Sequence, residues 1–363
     1  MYMPIHYYLT IIFILIGFYL LFSLKPNKTV AFKRPKDLLI SIIIPARNES
    51  KRIQPLLESL LPYKNDMEII VVDDHSDDDT KSVVMSFGFQ VIQPKKRPKA
   101  WKGKPWTLDQ GVLSASGDIV IFLDADTTIH KNGIEALLNI FLKTKTPLSV
   151  QPYHFMKRPI ERLSVFFNVL VVMAANAYTI FKHKLTPRAF FGPTQVMLKK
   201  DYLDFARDPS VTNQVLEDIY LGQSFLKHGK NIRSIIGKNI VSFRMYPDGY
   251  HDMLSGFGKN FANGAIAIGM IQAILLSLWI SAPYAAINIL LTALISGEAF
   301  LMPILIYVVF GLQLYLFSRH IGNFKPTLIL MYPLHALFFL YVFIYSFFRI
   351  YIFKNNVWKG RSV

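Results

Sequence analysis

The sequence predicts an α/β protein, an open sheet with helices on both faces, carrying membrane helices at both ends. Three observations predict it. From residue 38 to about 250, short apolar strands alternate with amphipathic helices, the pattern of a helix-covered sheet. Tyr7 to Leu24 is an apolar run long enough to cross a bilayer. After residue 264 the chain turns apolar again. Of its 363 residues 52% are apolar and the aromatics are mostly Phe and Tyr, a composition suited to lipid contact.

The first run, YYLTIIFILIGFYLLFSL, is followed by its basic residues, Lys25, Lys28, Lys33, Arg34 and Lys36. A cleaved leader has them in front and a small-residue cleavage site behind. Residues 1–36 therefore read as a retained anchor with a basic linker, and the next domain as cytoplasmic. LLISIIIPA is a buried strand ended by Pro45. SKRIQPLLESLL has helical spacing, and MEIIVVDD is a second strand. DDTKSVVMSFG starts with acids and stops at Gly88, as a helix does. FQVI is a third strand. PWTLDQGVLSAS places Pro105 where a first helical turn accepts it. GDIVIFLDAD is the fourth strand, NGIEALLNIFLK a helix and LSVQPY another strand.

The uncharged run SVFFNVLVVMAANAYTIF, 164–181, lies inside this region. It reads either as a buried core helix or as a helix at the membrane interface where a lipid enters. The α/β domain is expected over 37–264, three membrane segments over 265–353 and a basic tail over 354–363. Three spans put that tail outside, yet Lys354, Lys359 and Arg361 favour the inside. A break at Pro333, making a re-entrant pair, would reconcile the two.

The absence of cysteine excludes disulfides and thiolate-held zinc. A net charge of +16 suits nucleic acid, anionic lipid or a phosphorylated substrate. No zinc-finger spacing and no RNA-binding strand motif is present, so nucleic acid is the weakest of the three.

In open α/β sheets ligands sit beyond the carboxyl ends of strands, where Asp73, Asp74, Asp124 and Asp126 all fall. Asp124 and Asp126 are one residue apart. On a strand they share a face, and like charges so close repel. A divalent cation is the simplest compensation. Magnesium takes one or two carboxylates with phosphate and water, and it would neutralise a diphosphate leaving group. Asp77 to Asp79 are explained by the helix start they precede. Asp73 and Asp74 suit hydrogen bonds from a nucleotide's base and ribose. In KKRPKAWKGKPW, Lys95 to Lys99 read as a solvated charge run. Trp101, Gly103 and Lys104, just ahead of a helix, read as a phosphate site.

The ordered motifs IIIPARNE, VVDDHSDDDT, WKGK and GDIVIFLDAD resemble those of the family 2 glycosyltransferases, which have the GT-A nucleotide-sugar fold; the resemblance covers about 38–250. The segments SVQPYH, FFNVL, FGPTQ, VLEDIYLG, FRMY and VWKGR narrow it to membrane-bound members that glycosylate a carotenoid carboxylic acid from UDP-glucose. The resemblance implies that Pro45, Arg47, Glu49 and Asp74 line the nucleotide pocket and that Lys104 approaches the donor. It implies that Asp124 and Asp126 hold magnesium or manganese through the diphosphate. Glu217-Asp218 falls at the family's E-D position, where the Asp is the usual general base. Arg244 and Tyr246 fall near the acceptor or diphosphate. Phe167, Asn168 and Trp101 are the acceptor candidates. His154 and His251 read as structural.

The chain lacks the Q-x-x-R-W string of processive relatives, which counts against long-polysaccharide synthesis. The expected activity is inverting transfer of a sugar from a UDP-sugar to a membrane-embedded lipid at the cytoplasmic face; the resemblance implies glucose as the sugar and a carotenoid acid as the first acceptor. Diacylglycerol or polyprenyl phosphate are the rival acceptors. A nucleotide-binding transporter or receptor is the rival class, and the near absence of charge from the membrane segments, Arg349 apart, argues against it.

Overall fold

A computed structural model describes residues 3–27, 38–181, 187, 189–214, 216–257, 268–297, 299–348, 357–358 and 361–362. The chain divides into two compact units. One comprises Pro26–His154 and Thr186–Met245; the other comprises Met1–Lys25, Phe155–Leu185 and Tyr246–Ser362.

The first unit is built on a seven-stranded sheet. Strands β1 (Ile40–Ala46), β2 (Glu68–Asp73), β3 (Gln90–Ile92) and β4 (Ile119–Leu123) are parallel and lie in the order β3-β2-β1-β4. Beyond β4 come β8 (Thr194–Leu198), β6 (Leu148–Gln151) and β9 (Arg233–Ile236), with β8 antiparallel to both neighbours. Three short strands, β5 (Thr127–Ile129), β7 (Tyr153–His154) and β10 (Val241–Phe243), form a second sheet in the order β5-β10-β7. The segment expected as one strand over LSVQPY is therefore two, divided at Pro152 between the two sheets. Pro45 does not end β1, which runs on to Ala46. Pairing with β4 stops at Ile43, so the missing N–H of Pro45 falls past that ladder.

The strands read as continuous apolar runs because both faces are covered. Ile42, Ile44, Val71, Ile121 and Leu123 point into one core, with Leu56 and Leu57 of α2 (Gln54–Leu60) and Phe141 of α5 (Gly133–Leu142). Their alternates Ile43, Val72, Val120 and Phe122 point into the other, with Leu108 and Val112 of α4 (Gly103–Ser114) and Phe225 of α9 (Glu217–Lys227). Helix α3 (Thr80–Ser86) links β2 to β3, and the short helices α7 (Lys199–Phe205) and α8 (Pro209–Thr212) lie between β8 and α9.

The second unit is helical. Its members include α1 (Ile5–Leu21), α6 (Val165–Ala174), α10 (Met270–Ser296), α11 (Leu301–Ile321) and α12 (Leu328–Phe347). The last three are long and apolar enough to cross a membrane, whereas α1 is apolar but 17 residues long. Helix α12 is continuous through Pro333, so the break suggested by the charge conflict is not how this segment is built. Proline removes the N–H that Ile329's carbonyl would accept within the helix. Gly311 of α11 lies against that carbonyl, where a Cβ would come within 2.2 Å.

The uncharged run at 164–181 supplies α6, whose Phe166 packs against Trp279, Phe310 and Phe339 at ring separations of 6.0, 6.4 and 6.1 Å. This stretch, inside the span expected for the α/β domain, groups with the apolar helices. One polar cluster ties three of these helices together. Gln313 is buried; its Oε1 accepts from Trp279 Nε1 at 3.0 Å and its Nε2 donates to the Ile14 carbonyl at 2.7 Å.

Candidate active site

The chain leaves β1 at Ala46 and β2 at Asp73, and the two exits are stapled together. Asp74 N–H donates to the Ala46 carbonyl at 2.9 Å, and Arg47 donates to the Asp74 carbonyl at 2.7 Å. Asn48 N–H donates to Ser76 Oγ, Glu49 N–H to Thr80 Oγ1, and Asp77 N–H to Asn48 Oδ1. Asn48 and His75 take left-handed backbone, at φ 53° and 52°, a conformation Asn tolerates better than most residues.

The acidic cluster divides by role. Asp73 is buried and its Oδ1 receives the amide and hydroxyl of Ser76, so it shapes the turn. Asp78 receives Ser50 and Thr80. Its burial works the other way, but those hydrogen bonds prevail and bring its carboxyl down to about 2. Asp74 remains half-buried beside Arg47, 3.7 Å from its guanidinium.

Strand β4 ends at Leu123, and the acidic pair stands on the turn beyond it rather than in the strand. Thr127 donates to the Asp124 carbonyl through its amide at 3.0 Å and its hydroxyl at 2.7 Å, closing the turn before β5. Asp124 N–H donates to the Pro193 carbonyl at 2.9 Å. Phe243 of β10 pairs with Thr127, so the register carries Arg244 to the same turn. Burial, then the charges of Asp124 and Glu49, lift the carboxyl of Asp126 to about 7, against the pull of Lys104 and Arg52.

Lys104, in the first turn of α4, meets this turn directly. Its ammonium lies 2.7 Å from one oxygen of Asp124 and 3.0 Å from the other, and 3.4 Å from Glu217. Burial disfavours that charge, but Asp124, Glu217 and Asp218 outweigh it and hold Lys104 protonated well above the usual lysine range. The loop before α4 is fixed by Lys102 N–H donating to the Thr212 carbonyl at 2.8 Å. Trp106 Nε1 donates to the Lys95 carbonyl, and Trp101 stands edge-on to Trp106 at 5.4 Å. Behind, Arg207 grips the buried Asp109 of α4 with two bonds of 2.7 and 3.1 Å.

Glu217 and Asp218 open α9. Burial and then Glu217 raise Asp218 to about 7, opposed by Lys104. Gly192, in the loop before β8, lies beneath Asp218: a Cβ there would meet its Oδ2 at 2.9 Å. That loop, Gly192–Pro193, thus touches both Asp124 and Asp218. Sequence reasoning assigned it no role, although a Gly-Pro pair ahead of a strand is a turn signal.

The fold therefore brings Lys104, Asp124, Asp126, Glu217 and Asp218 together, with Arg244 by register and the Arg47–Asp74 staple on neighbouring strand exits. Tyr246, Phe167 and Asn168 belong to the helical unit. Tyr246 packs on Phe257 at 4.8 Å, Phe257 stacks on Phe167 at 4.0 Å, and Asn168 donates to Ser164. His154 is buried beside Phe243. Among the described residues no group of three or more His, Asp or Glu converges as a metal cage would. Two hard carboxylates on one turn nevertheless fit a cation that takes its other ligands from phosphate and water.

The sequence profile described as Glycosyl transferase family 2 matches residues 41–204. A 4,4'-diaponeurosporenoate glycosyltransferase of Staphylococcus aureus strain MRSA252 is 32% identical over 328 residues, 89% of this chain and 88% of that protein. Its counterpart in strain USA300 is 31% identical over the same extent. Among solved structures, a mannosyltransferase of Pyrobaculum calidifontis in complex with GDP-Man and Mn2+ covers 94% of this chain and 95% of its own. It superposes with a TM-score of 0.55 at 18% identity, a likeness of fold.

Proposed function

The chain belongs to glycosyltransferase family 2, and on that premise we propose that it transfers glucose from UDP-glucose to the carboxyl group of a membrane-embedded carotenoid acid. The observation that carries this reading is the 32% identity to a diaponeurosporenoate glycosyltransferase along 89% of the chain. The juxtaposition of Lys104, Asp124 and Glu217 supports it chemically.

The reaction is inverting. An acceptor oxygen attacks the anomeric carbon from the face opposite the diphosphate; the bond from that carbon to the diphosphate oxygen breaks, and its electron pair leaves with UDP. Arg47 and Asp74 hold the nucleotide, with Pro45 and Glu49 at the same strand exit. Lys104 and Arg244 meet the charge that gathers on the diphosphate. Asp124 and Asp126 hold a divalent cation, which when bound supplies Lewis-acid neutralisation of that leaving group. Asp218 receives the proton of a hydroxyl acceptor, and its lift to about 7 suits a base working at neutral pH. A carboxylic acid acceptor is already ionised at that pH, and Asp218 then orients it.

The catalytic unit faces the cytoplasm. Phe18 packs on Phe317 and Ile14 bonds Gln313, so α1 and α11 run in the same direction. Lys25 follows the first of these, and Arg319 and His320 close the second, so the basic residues gather at one end.

The test is product mass analysis after adding UDP-glucose and separate lipid acceptors to purified full-length chain, with and without chelator. A glucosyl ester of the carotenoid acid, lost in EDTA, is expected. Transfer only to diacylglycerol or polyprenyl phosphate would replace the acceptor, and full turnover in excess EDTA would remove the cation.

A further inference from the structure

The ammonium of Lys104 occupies both oxygens of Asp124, the carboxylate that the function above gives to a divalent cation, and it also reaches Glu217. A divalent ion joining Lys104 on Asp124 would meet repulsion: at about 4 Å apart the two charges cost roughly 8 kcal/mol at the screening typical of a protein surface, a penalty that movement of the lysine relieves. We propose that Lys104 and the cation compete for Asp124, and that Glu217 is a positioning residue, the second seat that receives Lys104 when the ion arrives. This inference rests on the cation reading of Asp124 and Asp126.

The geometry supplies what such an exchange needs. Lys104 stands in the first turn of α4 on a long flexible stem, and its backbone is fixed by the Lys102–Thr212 bond and the Asp109–Arg207 fork, so only its head must move. Glu217 is 3.4 Å from the ammonium, against 2.7 and 3.0 Å for the Asp124 oxygens, so rotation about the lysine's own side-chain torsions, with no backbone movement, can swing the head from Asp124 to the far side of Glu217. Lys104 would then be held between α4 and α9 beside the base. Binding of the ion thereby sets the lysine that meets the diphosphate, and the cation and donor sites are filled in a coupled way. Under this scheme Glu217 takes no proton in the reaction; it keeps the displaced lysine in the site.

The experiment measures manganese binding to the full-length chain in detergent, without nucleotide, from the electron paramagnetic resonance signal of free Mn2+. Lys104→Met should tighten binding roughly tenfold or more, because a contacting positive charge is gone. Lys102→Met, a neighbouring lysine that is the partner of neither carboxylate, should change it less than about twofold. Glu217→Gln should weaken binding in the parent, since Lys104 then has Asp124 alone. In the Lys104→Met background the same change should have little effect. That non-additivity distinguishes a lysine handed between two seats from charges summing independently. Lys104→Gln serves if the Met variant melts early.

Equal manganese affinity in parent and Lys104 variants, with binding still abolished by Asp124→Asn, would leave the cation site standing and overturn the exchange. Strictly additive effects of Lys104→Met and Glu217→Gln would also overturn it. No manganese binding in any variant, either without nucleotide or with saturating UDP, would overturn both the exchange and the cation reading.

Discussion

Replacing Gly192 by alanine should leave the protein folded and slow it. The added Cβ would lie 2.9 Å from Oδ2 of Asp218 and 3.4 Å from its Cγ. Ordinary van der Waals contact begins at 3.4 Å, so the carboxylate must retreat by roughly half an ångström. The atom that gives way is the end of a side chain, so stability should change by no more than about 1 kcal/mol. Loss of glycine's freedom in the unfolded chain, worth about 0.4–1 kcal/mol, offsets part even of that. Catalytic geometry is less forgiving. If a misplacement of about 1 Å costs on the order of 10²-fold, half of it should cost about tenfold in turnover. UDP affinity should be unchanged, because the nucleotide is assigned to the Arg47–Asp74 staple on the exits of β1 and β2 and not to Asp218. The assay is UDP release with UDP-glucose and acceptor, alongside a melting curve and a UDP titration. Turnover within twofold of the parent at an unchanged melting temperature would refute the importance of where Asp218 stands. A collapse of UDP affinity would move Asp218 into the donor site.

With cation chelated, melting temperature should fall as pH rises from about 5 to about 8. Asp126 and Asp218 have pKa values near 7 when folded, above their unfolded values, so the folded state holds extra protons that it must surrender as pH climbs through 7. Asp126→Asn with Asp218→Asn should flatten the profile, and a parent profile that rises over this range would contradict the burial argument. Gln313→Leu should destabilise the helical unit by about 1–2 kcal/mol, since Trp279 Nε1 and the Ile14 carbonyl each lose their bond; unfolding in mixed detergent measures it, and no change would mean the cluster is incidental. The chain has no cysteine, so one introduced near Lys95 is a clean reporter. It should resist a membrane-impermeant thiol reagent in intact cells, and fast labelling there would reverse the orientation.

The sequence by itself determined the sheet-and-helix alternation, because strands buried on both faces must be apolar throughout, and it determined the three helices long and apolar enough to cross a membrane, because length and hydropathy are local properties. It also marked the acidic strand exits, the WKGK loop and the E-D pair, since chemistry at a strand end leaves polar residues against an apolar background. Only the tertiary structure decided how these meet. The pairing of Lys104 with Asp124 and Glu217 spans more than a hundred residues of chain and depends on β4, α4 and α9 being brought to one place, which no local pattern encodes. The antiparallel β8 and the Gly192 contact under Asp218 are likewise products of packing. So is the burial of 165–174 among the apolar helices, where an uncharged run reads the same to local hydropathy whether a protein core or a lipid surface covers it. The close approach of α11 to α12 at Pro333 is a product of packing too: glycine at 311 leaves room for the Ile329 carbonyl, which a Cβ there would meet at 2.2 Å.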